Sequence, residues 1–144
     1  MNPLYKAATL TLLFASALIM KAQTLRVQIL NGKNGKPVVN EHVNVFRTGD
    51  FGDLAGNRDH REFNTDANGI FTVSQIAPET DSFTVAVDWH RPCAKNYAKF
   101  SLHEIFLKGI VSENSCKAKV GRIVEPGTLI LFVRDETFFE KMAH

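Results

Sequence analysis

Residues 82–89 read Ser82-Phe83-Thr84-Val85-Ala86-Val87-Asp88-Trp89, an alternation that sets Phe83, Val85, Val87 and Trp89 on one face and small or polar side chains on the other. That is the period of a strand with one face in a core. Extended to its end, the spacing predicts Trp89 as a core residue beside Phe83 and Val87; the alternative is a stacking platform in which Trp89 offers its face beside His90 and Arg91. Outward from this stretch, Leu25, Val27 and Ile29 alternate with polar partners, and Asn31-Gly32-Lys33-Asn34-Gly35-Lys36-Pro37 reads as a turn. Its two Asn-Gly pairs favour positive φ and Pro37 is expected to end a hairpin leading to Val43 and Val45. Phe63 opens a further strand, and Asp66-Ala67-Asn68-Gly69 makes a tight turn before Ile70-Phe71-Thr72-Val73. The run Thr128-Leu129-Ile130-Leu131-Phe132-Val133-Arg134 is apolar almost throughout, as a central strand buried on both faces would be.

About seven short strands with Gly, Pro and Asn turns predict an all-β protein, a single Greek-key-type β-sandwich of prealbumin-like form. One short helix is expected: Ser101 and Glu104 fit a capping box, Ile105, Phe106 and Leu107 follow, and Gly109 stops it. The end, Thr137 to Met142, reads as one helical turn or a fray whose aromatics pack back on the sandwich.

The 144 residues, 44% hydrophobic and 22% charged, suit one domain of ordinary composition. Residues 1–22 have the pattern of a signal peptide, with Lys6 ahead of an apolar run from Ala7 to Met20. That run is shorter than the roughly 20 residues a bilayer span needs. Cleavage near Ala22-Gln23 is therefore expected, leaving residues 24–144 as the β-sandwich domain with no stable membrane span, exported to the periplasm or beyond the cell. Lys plus Arg number 17 against 15 Asp plus Glu, and Lys6 and Lys21 lie in the leader, so the remainder is neutral. No basic stripe remains for nucleic acid.

In an oxidising compartment Cys93 and Cys116 most simply form one disulfide, which in the chain-entropy model stabilises by roughly 3 kcal/mol. A metal site using His90, at H-x-x-C spacing from Cys93, and His103 is the competing reading, and the paired spacings of structural zinc sites are absent. No metal or other cofactor is expected.

The series Asn34-Gly35-Lys36-Pro37, Val43-Asn44-Val45, Thr65-Asp66-Ala67-Asn68-Gly69-Ile70-Phe71 and a strand ending at Trp89 resembles carboxypeptidase regulatory-like domains, relatives of the Cna-B and transthyretin-like sandwiches. The second half, with Cys93, Ser101 to Ile105, Asn114, Cys116 and Pro126-Gly127, looks like small exported bacterial proteins that carry such a domain alone. The resemblance implies a non-catalytic module for folding support, spacing, or protein and glycan contact at a cell envelope, and it hands over no catalytic residue. Cna-B domains in pilins can join Lys to Asn through an isopeptide bond assisted by a buried acid; no triple is singled out here.

Enzymes on comparable sandwiches fail on residue inventory. An intradiol dioxygenase holds iron with two Tyr and two His, and beyond the leader only Tyr97 is present. The Tyr-Arg-Gly-Ser ending of hydroxyisourate hydrolases is replaced by Glu140-Lys141-Met142-Ala143-His144, and no G-x-S-x-G elbow occurs. The loop from Arg47 to Arg61 carries Asp50, Asp53 and Asp59, followed by His60 and Glu62, which could ligate calcium. Interleaved Arg47, Arg58 and Arg61 favour a solvated loop instead, and one suited to recognition. The expected function is a non-catalytic exported module for protein or envelope interaction or structural support, with an unknown protein or glycan partner. A carbohydrate- or ligand-binding module touching its ligand through Trp89, Arg91, Asp50 and Asp53 is the second reading, and a metal-dependent hydrolase the third.

Overall fold

The computed structural model describes residues 23–47, 60–76, 80–95, 99–116 and 122–142. The expected signal peptide, Asp50, Asp53, Asp59 and Tyr97 lie outside them. The elements run β1 (Leu25–Asn31), β2 (His42–Arg47), β3 (His60–Asn64), β4 (Ile70–Val73), β5 (Ser82–Val87), β6 (His90–Pro92), β7 (Lys99–Ser101), α1 (Leu102–Lys108), β8 (Ile110–Val111), β9 (Thr128–Asp135) and α2 (Phe138–Met142). They form two sheets, one ordered β4-β1-β9-β6 with β8 also on β9, the other β3-β2-β5-β7. The all-β sandwich expected from the alternation is the fold found, with nine strands among the described residues rather than about seven. β6, β7 and β8 are two or three residues long and carry too little pattern to be read from sequence.

Alternation explains the core. Val27 and Ile29 of β1, Val43 and Val45 of β2, Phe83, Val85 and Val87 of β5, and Leu129, Leu131 and Val133 of β9 belong to one buried cluster between the sheets. β9 is central as expected: it lies parallel to β1 and β8 and antiparallel to β6. Its other face is buried too, because Ile130 and Phe132 join Leu30 and Cys93 in a second cluster, against which Cys116 and Val124 pack. The Cys93–Cys116 disulfide, together with Val124, thus covers the outside of the β1–β9 pair. A strand apolar on both faces needs such a cover.

Two loop readings need correction or refinement. The turn after β1 forms, with Asn31 Oδ1 accepting from the Lys33 N–H and Asn34 Oδ1 from the Lys36 N–H. It does not make a hairpin with β2: β4 and β9 occupy both edges of β1, so the returning chain makes one bridge, Leu30 to Pro37, and crosses to the other sheet. The Asp66–Gly69 turn is as read. Asp66 Oδ1 accepts from the N–H groups of Asn68 and Ile70, and Gly69 sits at φ 70°, where a Cβ would lie 2.5 Å from the Ile29 carbonyl oxygen. Only glycine fits there.

α1 has the expected cap, Ser101 Oγ accepting from the Glu104 N–H and Gly109 ending the helix at φ 74°. The C-terminal expectation is half right. α2 is a helix, held by bidentate Arg134–Glu140 hydrogen bonds of 2.7 and 2.8 Å and by Glu140 and Thr137 capping each other. Its aromatics do not pack back on the sandwich: Phe138 and Phe139 are 70% and 81% exposed. The Arg134 guanidinium, then the Thr137 backbone and hydroxyl, hold the Glu140 carboxyl far below the usual carboxylate range.

Candidate functional site

A connected group of polar side chains lies where the chain leaves β5 and enters β6, passing from one sheet to the other over Asp88 and Trp89. The strand period ends at Val87, so Trp89 does not continue the inward series. It is 57% exposed, which overturns its assignment to the core. The physical reason is a capture from the other side: the Trp89 N–H donates to Glu41 Oε1 at 2.9 Å, which turns the backbone before a fourth inward residue can be placed.

Glu41 is the anchor of this corner and has no exposure to solvent. Its second oxygen, Oε2, is 2.6 Å from His90 Nδ1, and His90 Nε2 is 3.3 Å from Asp135 Oδ1 at the end of β9. Its backbone is fixed by Thr65, whose N–H donates to the Glu41 carbonyl and whose Oγ1 accepts from the Glu41 N–H at 2.8 Å while donating to the Val38 carbonyl at 2.7 Å. A carboxylate this deep is tolerable because its oxygens meet a backbone donor and an imidazole. One side chain therefore ties the start of β2, the β5–β6 crossing and, through His90, the end of β9.

The other flank of Trp89 is fixed as well. Asp88 Oδ2 is 2.5 Å from His42 Nδ1, and Asp88 Oδ1 accepts from Asn44 Nδ2 at 3.1 Å. The hydrogen bond to Asp88, and then the Asp88 and Glu62 charges, raise the His42 pKa above the ordinary imidazole value against an opposing desolvation. His42 and Trp89 are tilted neighbours with ring centroids 6.5 Å apart. Register places His42 and Asn44 of β2 beside Asn64 and Glu62 of β3, on the face opposite to core-facing Val43 and Val45. Glu62 lies 3.7 Å from His42 Nε2 and 3.6 Å from His60 Nε2, and the His60 ring stacks on Phe46. The result is a strip on the outer face of the sheet, aromatic at both ends and lined between them by hydrogen-bonding groups.

Of the residues singled out from sequence as ligand contacts, only Trp89 belongs to this strip; His60 and Glu62, weighed there as calcium ligands, join it through His42 and Phe46 instead. Arg91 is hydrogen-bonded through Nε to Glu136 at 2.9 Å and lines a different cleft with Pro92, Lys95, Ser115 and Arg134. Asp50 and Asp53 lie outside the described residues. His90 is bound to Glu41, and His103 is exposed on α1, so the two are not brought together as metal ligands. Among the described residues no three His, Cys, Asp or Glu side chains form a group able to hold a metal ion. Cys93 and Cys116 are bonded to each other. Glu41 and His42 were not singled out from sequence, and Asn44 was read only as the polar partner in the Val43-Asn44-Val45 alternation; the partners of Glu41 lie 48 and 49 positions away.

No protein-family model matches the chain, and no curated protein matches it. Among solved structures, the group B streptococcus pilus 2b backbone protein is similar over 82% of this chain with a TM-score of 0.50 and 12% identity. The chain spans 43% of the length of that protein, and the likeness is one of fold. BcpA, the major pilin subunit of Bacillus cereus, matches with a TM-score of 0.40 and 11% identity over 79% of this chain and 30% of its own. A catechol 1,2-dioxygenase from Acinetobacter also reaches 0.40, at 15% identity over 84% of this chain and 55% of its own. No helix among the described residues is long and apolar enough to cross a membrane.

Proposed function

We propose that the chain is an exported, non-catalytic β-sandwich module that contacts an envelope partner through the corner bearing Trp89. The observation that carries this reading is a large aromatic side chain, 57% exposed, on a backbone held by a fully buried carboxylate. A fold that places its one tryptophan outward on a rigid turn has the geometry of a contact residue, since Trp anchors interfaces through a large face at low entropic cost. Support for export comes from the leader pattern and the disulfide. The sandwich suits the carboxypeptidase regulatory-like resemblance, for which a spacing or supporting role is the implied function.

The test expresses the full chain, establishes its intact mass, and co-sediments it with envelope fractions. The expected result is a mature chain lacking residues 1–22 and two hydrogens lighter than its reduced form, sedimenting with envelopes in a manner lost in Trp89→Ala. Sedimentation equal in wild type and Trp89→Ala, or absent from both, would overturn the reading.

A further inference from the structure

We propose that the strip from Trp89 to His60 binds a neutral oligosaccharide, an inference that rests on the contact-surface reading above and names the chemistry of its partner. Three properties of the strip lead there. First, the exposed tryptophan has polar groups beside it. The His42 ring lies beside it, and His42 is bonded in turn to Asp88, the residue before Trp89, which also accepts from Asn44, whereas the centre of a protein-binding hot spot is apolar and depleted in charge. An aromatic face beside fixed donors and acceptors matches a sugar ring, whose C–H face stacks on the indole while its hydroxyls bond in the ring plane.

Second, the polar groups are already in place. Asp88 is held from both oxygens by His42 and Asn44, and the backbone of Trp89 by Glu41, so little side-chain freedom is lost when a ligand arrives. Each Asp88 oxygen retains a lone pair for a hydroxyl donor.

Third, length and charge narrow the class. From His42 to Phe46 the strand advances four residues, about 13 Å at the rise of an extended chain, and an aromatic side chain lies at each end. That length fits a short, extended glycan. The carboxylates of Asp88 and Glu62, 42% and 61% exposed, repel uronic, sialic or sulfated sugars. Neutral sugars are the class that remains.

The test uses the full-length mature protein with the disulfide intact. Binding is followed by emission of the one tryptophan with maltotriose, cellotriose and triacetylchitotriose as probes, trigalacturonate as the anionic control, and an array of neutral glycans in parallel. The expected result is saturable binding of at least one neutral glycan, none of trigalacturonate, and an affinity at least about tenfold weaker in Asp88→Ala. Trp89→Phe, which keeps an aromatic face, is expected to retain weakened array binding, and Trp89→Ala to lose it with an unchanged circular dichroism spectrum. Failure of every neutral glycan to bind would overturn the inference. If envelope sedimentation stays dependent on Trp89 in that case, the contact surface stands and its partner is a protein; tighter binding of trigalacturonate than of neutral probes would also overturn it.

Discussion

The β1–β9 pair and the Asp88–His90 corner hold the same sandwich by opposite means. In the pair, Val27, Ile29, Leu129, Leu131 and Val133 fill one side and Leu30, Ile130 and Phe132 the other, and non-directional burial does the holding. At the corner a single carboxylate with no exposure replaces that bulk, and directional bonds to the Trp89 N–H and His90 set the path of the chain. The difference matters for function. Burial fixes where a strand lies but hides its side chains, whereas a backbone captured by hydrogen bonds can be rigid and still present an aromatic ring to solvent.

The largest expected effect is at the apolar pair. Ile29→Ala, at a position with no exposure, should destabilise by about 4 kcal/mol in denaturant titration and leave Trp89 emission below the transition unchanged, because the corner does not depend on that side chain. Glu41→Ala should cost about 3 kcal/mol, since it strands the Trp89 N–H and removes the acceptor of His90. Unlike Ile29→Ala, it should also alter native Trp89 emission. A Glu41→Ala protein with unaltered emission would place the rigidity of the corner elsewhere.

Cys93→Ser should lower stability by roughly 3 kcal/mol and leave Cys116 open to thiol labelling. Its loss uncovers Ile130 and Phe132 and should again spare the corner, so hydrogen exchange is expected to rise in β9 and not at residues 88–90. Equal stability with both thiols alkylated in the native protein would contradict it.

The smallest effects are those of pH. His42 is raised, so the stability that its protonated form lends the corner is fully present below the ordinary imidazole value and is lost as pH rises through the raised folded value. Glu140 is depressed, so the Arg134 latch on α2 is fully present above the ordinary carboxylate range and is lost as pH falls through the much lower folded value. Nuclear magnetic resonance titration should therefore show the corner loosening toward alkaline pH and α2 detaching only in strong acid. Movement of both in the same direction would refute the assignment.

What could be read in advance follows the same division. β5, β9 and the Ser101 cap announced themselves because periodicity and capping are local, and each lies within one stretch of sequence. Trp89 was misplaced because its spacing continues the β5 pattern, while the bond that ends the strand comes from Glu41. The β1–β2 turn was legible as a turn from its Asn-Gly pairs. That it crosses between sheets depended on β4 and β9 taking both edges of β1, which no local pattern contains. The strip was not legible as a unit for a like reason: His60 and Glu62 read only as possible calcium ligands and His42 and Asn44 as plain polar residues, until register aligns β2 with β3 and Asp88 is brought beside them.

Because the chain has one tryptophan, acrylamide quenching of the native protein reports on the corner without labels. The expected result is emission quenched nearly as readily as in the denatured chain while the circular dichroism of the sandwich is intact, with quenching relieved by a bound neutral glycan. Blue-shifted emission protected from acrylamide in the folded protein would put Trp89 back in the core and contradict the account.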